Sequence, residues 1–156
     1  HWQVFLHQPT RPASLSGNNL HGLLVDAKGA LWVSGTKGLD RLSGYAGQEP
    51  EFEHVGRKIG RPVEDVGSDL WQDRQGRIWS EQAVIEPDTG RSGKPRISHL
   101  TPADGMEIGT AWAGSYGQTR DGLLLFGGNQ GLAVIDPAHF KAYDYAPPLV
   151  VTETVL

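Results

Sequence analysis

Apolar and polar residues alternate in short runs along this chain, and each run is closed by Gly, Pro, Asp or Asn. Leu20–Asp26 reads as a first strand, Leu31–Gly35 as a second, Leu39–Leu42 as a third and Phe52–Val55 as an outer fourth. The turns between the first three are Ala27-Lys28-Gly29 and Thr36-Lys37-Gly38. A second set follows at Ser68–Gln72, Arg77–Ser80, Ala83–Glu86 and Arg96–Leu100, with Pro87-Asp88-Thr89-Gly90 as the turn between its last two strands. A third set occupies Thr110–Tyr116, Leu123–Phe126 and Leu132–Ile135. Trp2–Leu6 alternates weakly and reads as one more short strand. A helical period is absent apart from a single turn at Pro137–Tyr143. The pattern predicts an all-β protein.

The sets are copies of one another. Asp26-Ala-Lys-Gly29-Ala-Leu-Trp32 returns as Asp73-Arg-Gln-Gly76-Arg-Ile-Trp79, and the glycines Gly35 and Gly38 return as Gly128 and Gly131. Gly29, Gly76 and Gly122 open the three copies at intervals of 47 and 46 residues. That period suits four-stranded propeller blades of roughly 40–50 residues. The opening Asp accepts backbone N–H groups in the turn, the Gly closes it, and Trp32 and Trp79 are large enough to fill the wedge between neighbouring sheets. Leu125 occupies the same slot in the third copy. In the second copy, Gln82 and Ile85 stand where Gly35 and Gly38 stand in the first. The repeated Asp, Gly and Trp residues therefore read as architectural. Closed propellers need about 4–8 blades, so the expected object is a partial ring of about three. Its expected divisions are 1–14 (outer strand of a preceding blade and a loop), 15–55, 56–101 and 102–146 (blades), and 147–156 (the start of a following β-sandwich or linker).

Leu15-Ser-Gly-Asn-Asn-Leu20, Asp26-x-x-Gly-x-Leu-Trp-Val33 and Thr36-x-Gly-Leu39 resemble the two-component regulator propeller repeat. Gly131-Leu-Ala-Val-Ile-Asp-Pro137, followed by Ala146-Pro-Pro-Leu-Val-Val-Thr152, is similar to the last unit of such a propeller running into a Tyr-containing β-sandwich. The resemblance covers nearly the whole chain. It implies a periplasmic sensor domain of a bacterial hybrid histidine kinase or membrane diguanylate cyclase.

Composition narrows the partners. The formal net charge is −4 and Lys/Arg clusters are lacking, which gives no sign of nucleic-acid or anionic-membrane binding. The chain has no cysteine, so disulfides and thiolate metal sites are excluded. No apolar run approaches the roughly 20 residues of a membrane span, and His1-Trp2-Gln3-Val4 does not open like a signal peptide.

Catalytic patterns are sparse. The six histidines form no HExxH motif, Glu64-Asp65 is an isolated acidic pair, and no Ser sits in a G-x-S-x-G elbow. Gly127-Gly-Asn-Gln-Gly131 follows a strand without a helix after it, which is the wrong context for a phosphate loop. Binding is the better use of such a frame. Loops expected on one face present Asn18, Asn19, His21, Thr36 and Lys37, joined by Asn129 and Gln130, a set suited to hydroxyl-rich or carboxylated ligands such as oligosaccharides. The same Asn residues also serve ordinary turns.

The leading expectation is a non-catalytic, ligand-sensing segment of a membrane-anchored receptor, with no cofactor and no metal. One alternative is a metal enzyme like the streptogramin-type lyases, for which His21 is the one plausibly placed histidine. Another is a protein-interaction platform, in which exposed sheet edges pair with copies of the chain or with further blades.

Overall fold

In the computed structural model, residues 2–60, 66–87 and 93–142 are described. They form three antiparallel sheets in chain order. The first contains β1 (Leu20–Val25), β2 (Leu31–Gly35), β3 (Gly38–Ala46) and β4 (Glu49–His54). A short helix, α1 (Val55–Ile59), leads out of it. The second sheet contains β5 (Trp71–Gln72), β6 (Ile78–Trp79), β7 (Ala83–Glu86) and β8 (Arg96–His99). The third contains β9 (Ala111–Gln118), β10 (Leu124–Gly128) and β11 (Gly131–Ile135). Single 3₁₀ turns occur at Pro102–Asp104 and Pro137–His139. The fold is all-β, and no helix among the described residues is long and apolar enough to cross a membrane.

Trp2–Leu6, expected as a strand, pairs with no strand among the described residues, and its apolar side chains Trp2, Val4 and Leu6 are exposed. Val55 belongs to α1 rather than to the end of β4. The helix is closed by Gly60 at φ 75°, a left-handed position that a glycine takes at little cost. The Asp88-Thr89-Gly90 part of the second-set turn, the Glu64-Asp65 pair, His1 and the tail from Pro147 lie outside the described residues.

Each sheet meanders, so neighbours in sequence pair in space. Within the first sheet Trp32 pairs with Arg41 and Gly35 with Gly38, and in the third Leu125 pairs with Val134 and Gly128 with Gly131. The second sheet differs, because Trp79 pairs with Val84. The hairpin there is four residues shorter, and its turn is Ser80-Glu81-Gln82-Ala83, closed by Ser80 N–H to the Ala83 carbonyl at 2.9 Å. Gln82 and Ile85 are thus not the counterparts of Gly35 and Gly38. Gln82 is in the turn and Ile85 is a buried strand residue paired with Ile78.

The sheets stack face on face, and the aromatic repeat residues sit between them. Trp32 is 1% exposed in a core with Leu39, Val55, Ile78, Ile85 and Ile97, so it joins the first sheet to the second. Trp79 is fully buried with Val84, Ile108, Leu124, Phe126 and Ala133, joining the second to the third. Burying an indole removes on the order of 150–250 Å² from water, which makes these two residues the main apolar ties of the stack. Leu125 is only half-buried, because no further sheet covers its face among the described residues.

Contacts one repeat apart lock the registers. Gln72 Oε1 accepts from Ala27 N–H at 2.6 Å, Asp69 Oδ1 accepts from Gly114 N–H at 2.8 Å, and the Arg74 guanidinium donates to the Arg120 carbonyl at 3.3 Å. At Gly22 on β1 an added Cβ would run into the Ser68 carbonyl, so the chain leading into β5 passes hard against β1.

Candidate functional site

A cavity of about 690 Å³ opens at the hairpin end of β2 and β3. Three stretches far apart in sequence wall it: the segment His7–Ser16, the hairpin Thr36–Asp40, and the β4–α1 junction His54–Gly60.

The N-terminal segment is held over the first sheet by a buried polar knot. Asp40, paired across the ladder with His54, is 1% exposed. Its Oδ2 accepts from Ser16 N–H at 2.8 Å and from the Ser16 hydroxyl at 2.9 Å, while its Oδ1 meets His54 Nδ1 at 2.6 Å. His54 Nε2 faces the Pro12 carbonyl at 2.8 Å. Each ring nitrogen of His54 thus faces an oxygen, so the imidazole bridges β3 to the N-terminal segment. Hydrogen bonds from Ser16 and the contact with His54 offset the cost of burying the Asp40 side chain. Leu15 meanwhile packs with Val33 and Phe52 beneath the segment.

Around this knot the wall is basic. Arg11 donates to Glu49 at 2.8 Å and to the Pro50 carbonyl at 2.9 Å. Arg57, on α1, reaches the Pro12 carbonyl with one N–H at 3.3 Å. Lys37, at the hairpin tip, is exposed and has no partner among the described residues. Its stem lies over Gly17, where an added Cβ would come within 2.9 Å of Lys37 Cγ. His7 Nδ1 lies 2.6 Å from the Leu15 carbonyl, so that nitrogen donates. Chemically, the arrangement offers hydrogen-bond donors and positive charge in a recess held by strands.

Of the residues expected to face a ligand, Thr36 and Lys37 line this cavity. Asn18 Oδ1 accepts from His7 N–H at 2.7 Å, and the Asn19 carbonyl accepts from Thr36 N–H at 3.2 Å. His21 is exposed on β1. Asn129 and Gln130 lie at the tip of the third-sheet hairpin, against Gly109. Asn129 Oδ1 accepts from Thr110 N–H at 2.8 Å.

The hairpin tips share one device. In the first sheet Thr36 is tied to Asn19, in the third Asn129 is tied to Thr110, and in the second Glu81 accepts from Ser68 N–H at 2.9 Å. Each tip is thereby braced to the chain entering its own sheet's first strand.

Arg11, Asp40, His54 and Arg57 were not expected to face a ligand. A faint signal exists in the sequence: Asp40 and His54 are polar residues inside strand alternations where apolar ones would otherwise stand. Among the described residues no group of three or more His, Asp or Glu is placed to hold a metal.

No family model matches the chain, and neither does any curated protein. Among solved structures it is similar to the extracellular domain of a hybrid two component system protein from B. thetaiotaomicron. The identity is 13% and the TM-score 0.44 over 84% of this chain. The chain spans 23% of the length of that solved chain.

Proposed function

We propose that this chain is a non-catalytic recognition and signal-transmission segment from the periplasmic propeller of a bacterial membrane-anchored receptor. The observation that carries the reading is the 690 Å³ cavity, a volume typical of small-ligand pockets, walled by loop segments on a strand frame. The stacked sheets support the second half of the reading. A ligand drawn against the segment His7–Ser16 pulls on Leu15 and Asp40, and so on the first sheet, whose Trp32 is packed into the next. Signal passes as a small change in sheet packing or in the geometry of an assembly.

Calorimetric titration of the chain against a panel of saccharides and small carboxylates tests the proposal. Saturable heat with a ligand of either kind is the expected result. Silence across the panel overturns it.

A second reading is favoured by the two ends of the stack. Leu23 and Val25 on β1 are exposed at one end, and Leu132 (63%) and Val134 (56%) at the other. Leu125 and Val134 are paired on β10 and β11, so they share a face, the one that Trp32 and Trp79 occupy in the earlier sheets. Exposed apolar sheet faces suit stacking with further blades or with copies of the chain.

A further inference from the structure

We infer that the ligand of the cavity between the N-terminal segment and α1 is an acidic saccharide, a hydroxyl-rich carboxylate whose charged group is held by Lys37 and Arg57. The inference rests on the recognition role proposed above and names the chemistry of that site.

The charge balance of the wall carries the argument. The chain as a whole is negative, at −4. Yet the cavity is lined by Arg11, Lys37, Arg57 and His54, with Asp40 as its single acid among the described residues. Asp40 is fully engaged by Ser16 and His54, and Arg11 is answered by Glu49. Among the described residues, Lys37 and Arg57 are left over. Two uncompensated cations in a concave wall focus positive potential where a ligand enters.

Lys37 is also placed rather than loose. Its stem rests over Gly17, whose missing side chain makes the room. Arg57 is fixed at one N–H by Pro12 and keeps the rest of its donor fork for a carboxylate.

The rest of the lining suits hydroxyl groups. Thr36 and Gln8 supply a hydroxyl and an amide at the wall. His7 donates through Nδ1 to Leu15, which in the neutral ring leaves Nε2 as an acceptor for a ligand O–H. A phosphate cradle fits less well: Pro9 and Pro12 have no backbone N–H to offer, so anion binding falls to side chains.

The experiment is a calorimetric titration of the whole chain at low ionic strength with trigalacturonate, galactotriose and citrate. Trigalacturonate is expected to bind more tightly than the other two and to weaken as salt is raised. Lys37→Gln and Arg57→Gln are each expected to weaken it roughly tenfold or more while leaving thermal unfolding in place, because each removes one charge-assisted contact from an exposed residue. Gly17→Ala keeps every charge but displaces the Lys37 stem, and a severalfold loss is expected.

Equal binding of galactotriose and trigalacturonate overturns the acidic class and leaves the recognition role standing. Citrate matching trigalacturonate overturns the saccharide part. Unchanged affinity in both Gln variants overturns the site, and silence with all three probes overturns the inference.

Discussion

The Asp26 carboxylate accepts the indole N–H of Trp32 at 2.9 Å across a turn that the same carboxylate organises. Its other oxygen accepts from Lys28 N–H at 2.9 Å and Ala30 N–H at 2.8 Å. Asp73 repeats the set on Gln75, Arg77 and Trp79, the last at 2.7 Å. One acid therefore closes a turn and also satisfies the polar atom of the side chain that ties its sheet to the next. Where Thr119 replaces the acid, its hydroxyl still accepts from Leu123 N–H at 3.0 Å. It has no second oxygen for an indole, and the slot holds Leu125.

Asp26→Ala or Asp73→Ala leaves a buried indole N–H and two turn amides without their acceptor. A loss of about 2–4 kcal/mol is expected for either, measured by urea denaturation. A change under 1 kcal/mol in both would show that the turn holds without the acid.

Burial pushes the Asp26 carboxyl up, but the hydrogen bonds from Trp32, Ala30 and Lys28, with the charge of Arg41, outweigh it and hold it below its ordinary 3.8. A carboxyl that is more acidic folded than unfolded stabilises at pH values above 3.8, and that contribution fades as pH falls through 3.8 toward the lower folded value. Asp69 is the opposite case. Burial raises it and Glu81 adds to the rise, against the hydrogen bonds from Gly114 and Ser115. Its carboxylate opposes folding at neutral pH and does so less as the solution is acidified. Asp26→Asn should therefore flatten the acid limb of the stability–pH curve below about pH 5. Asp69→Asn, whose amide oxygen can still accept from Gly114, should leave stability at pH 7 unchanged or raise it by up to about 1 kcal/mol. Guanidinium melts from pH 3 to 7 check both signs.

Gly22 and Gly29 separate two reasons for a glycine. A side chain at Gly22 meets the Ser68 backbone, which has nowhere to go, so Gly22→Ala is expected to cost about 2–4 kcal/mol or to prevent folding. Gly29 has open space but a φ of +81°, so Gly29→Ala should cost only about 1 kcal/mol. Thermal melts of the two variants read the contrast.

Self-association through the stack ends is expected to rise with protein concentration. Leu132→Glu with Val134→Lys charges one end and should shift light scattering toward the monomer. A wild-type chain that stays monodisperse and monomeric at every concentration contradicts this.

The strands were legible where a short apolar run was closed by clear turn residues. Leu31–Gly35 and Ala83–Glu86 have the bounds their alternation predicted. The second hairpin was misaligned because four residues are missing from it, and counting from Gly76 places Gln82 and Ile85 in slots that do not exist there. β3 runs on to Ala46 because a register shift between Leu42 and Gly44 lets the ladder continue past Ser43. α1, at five residues, is too short to show a period. The cavity was legible only at Thr36 and Lys37. Its other walls come from segments whose meeting depends on Asp40 and His54, and neither announces a distant partner in the sequence.

Since Trp32 and Trp79 are each anchored in their own sheet but buried by the following one, the first two sheets each draw cohesion from their successor. An array coupled only to nearest neighbours loses order from its ends inward. Among the described sheets, the third, with Leu125 where an indole stands in the other two, is expected to fray first, its amides exchanging earliest with heavy water.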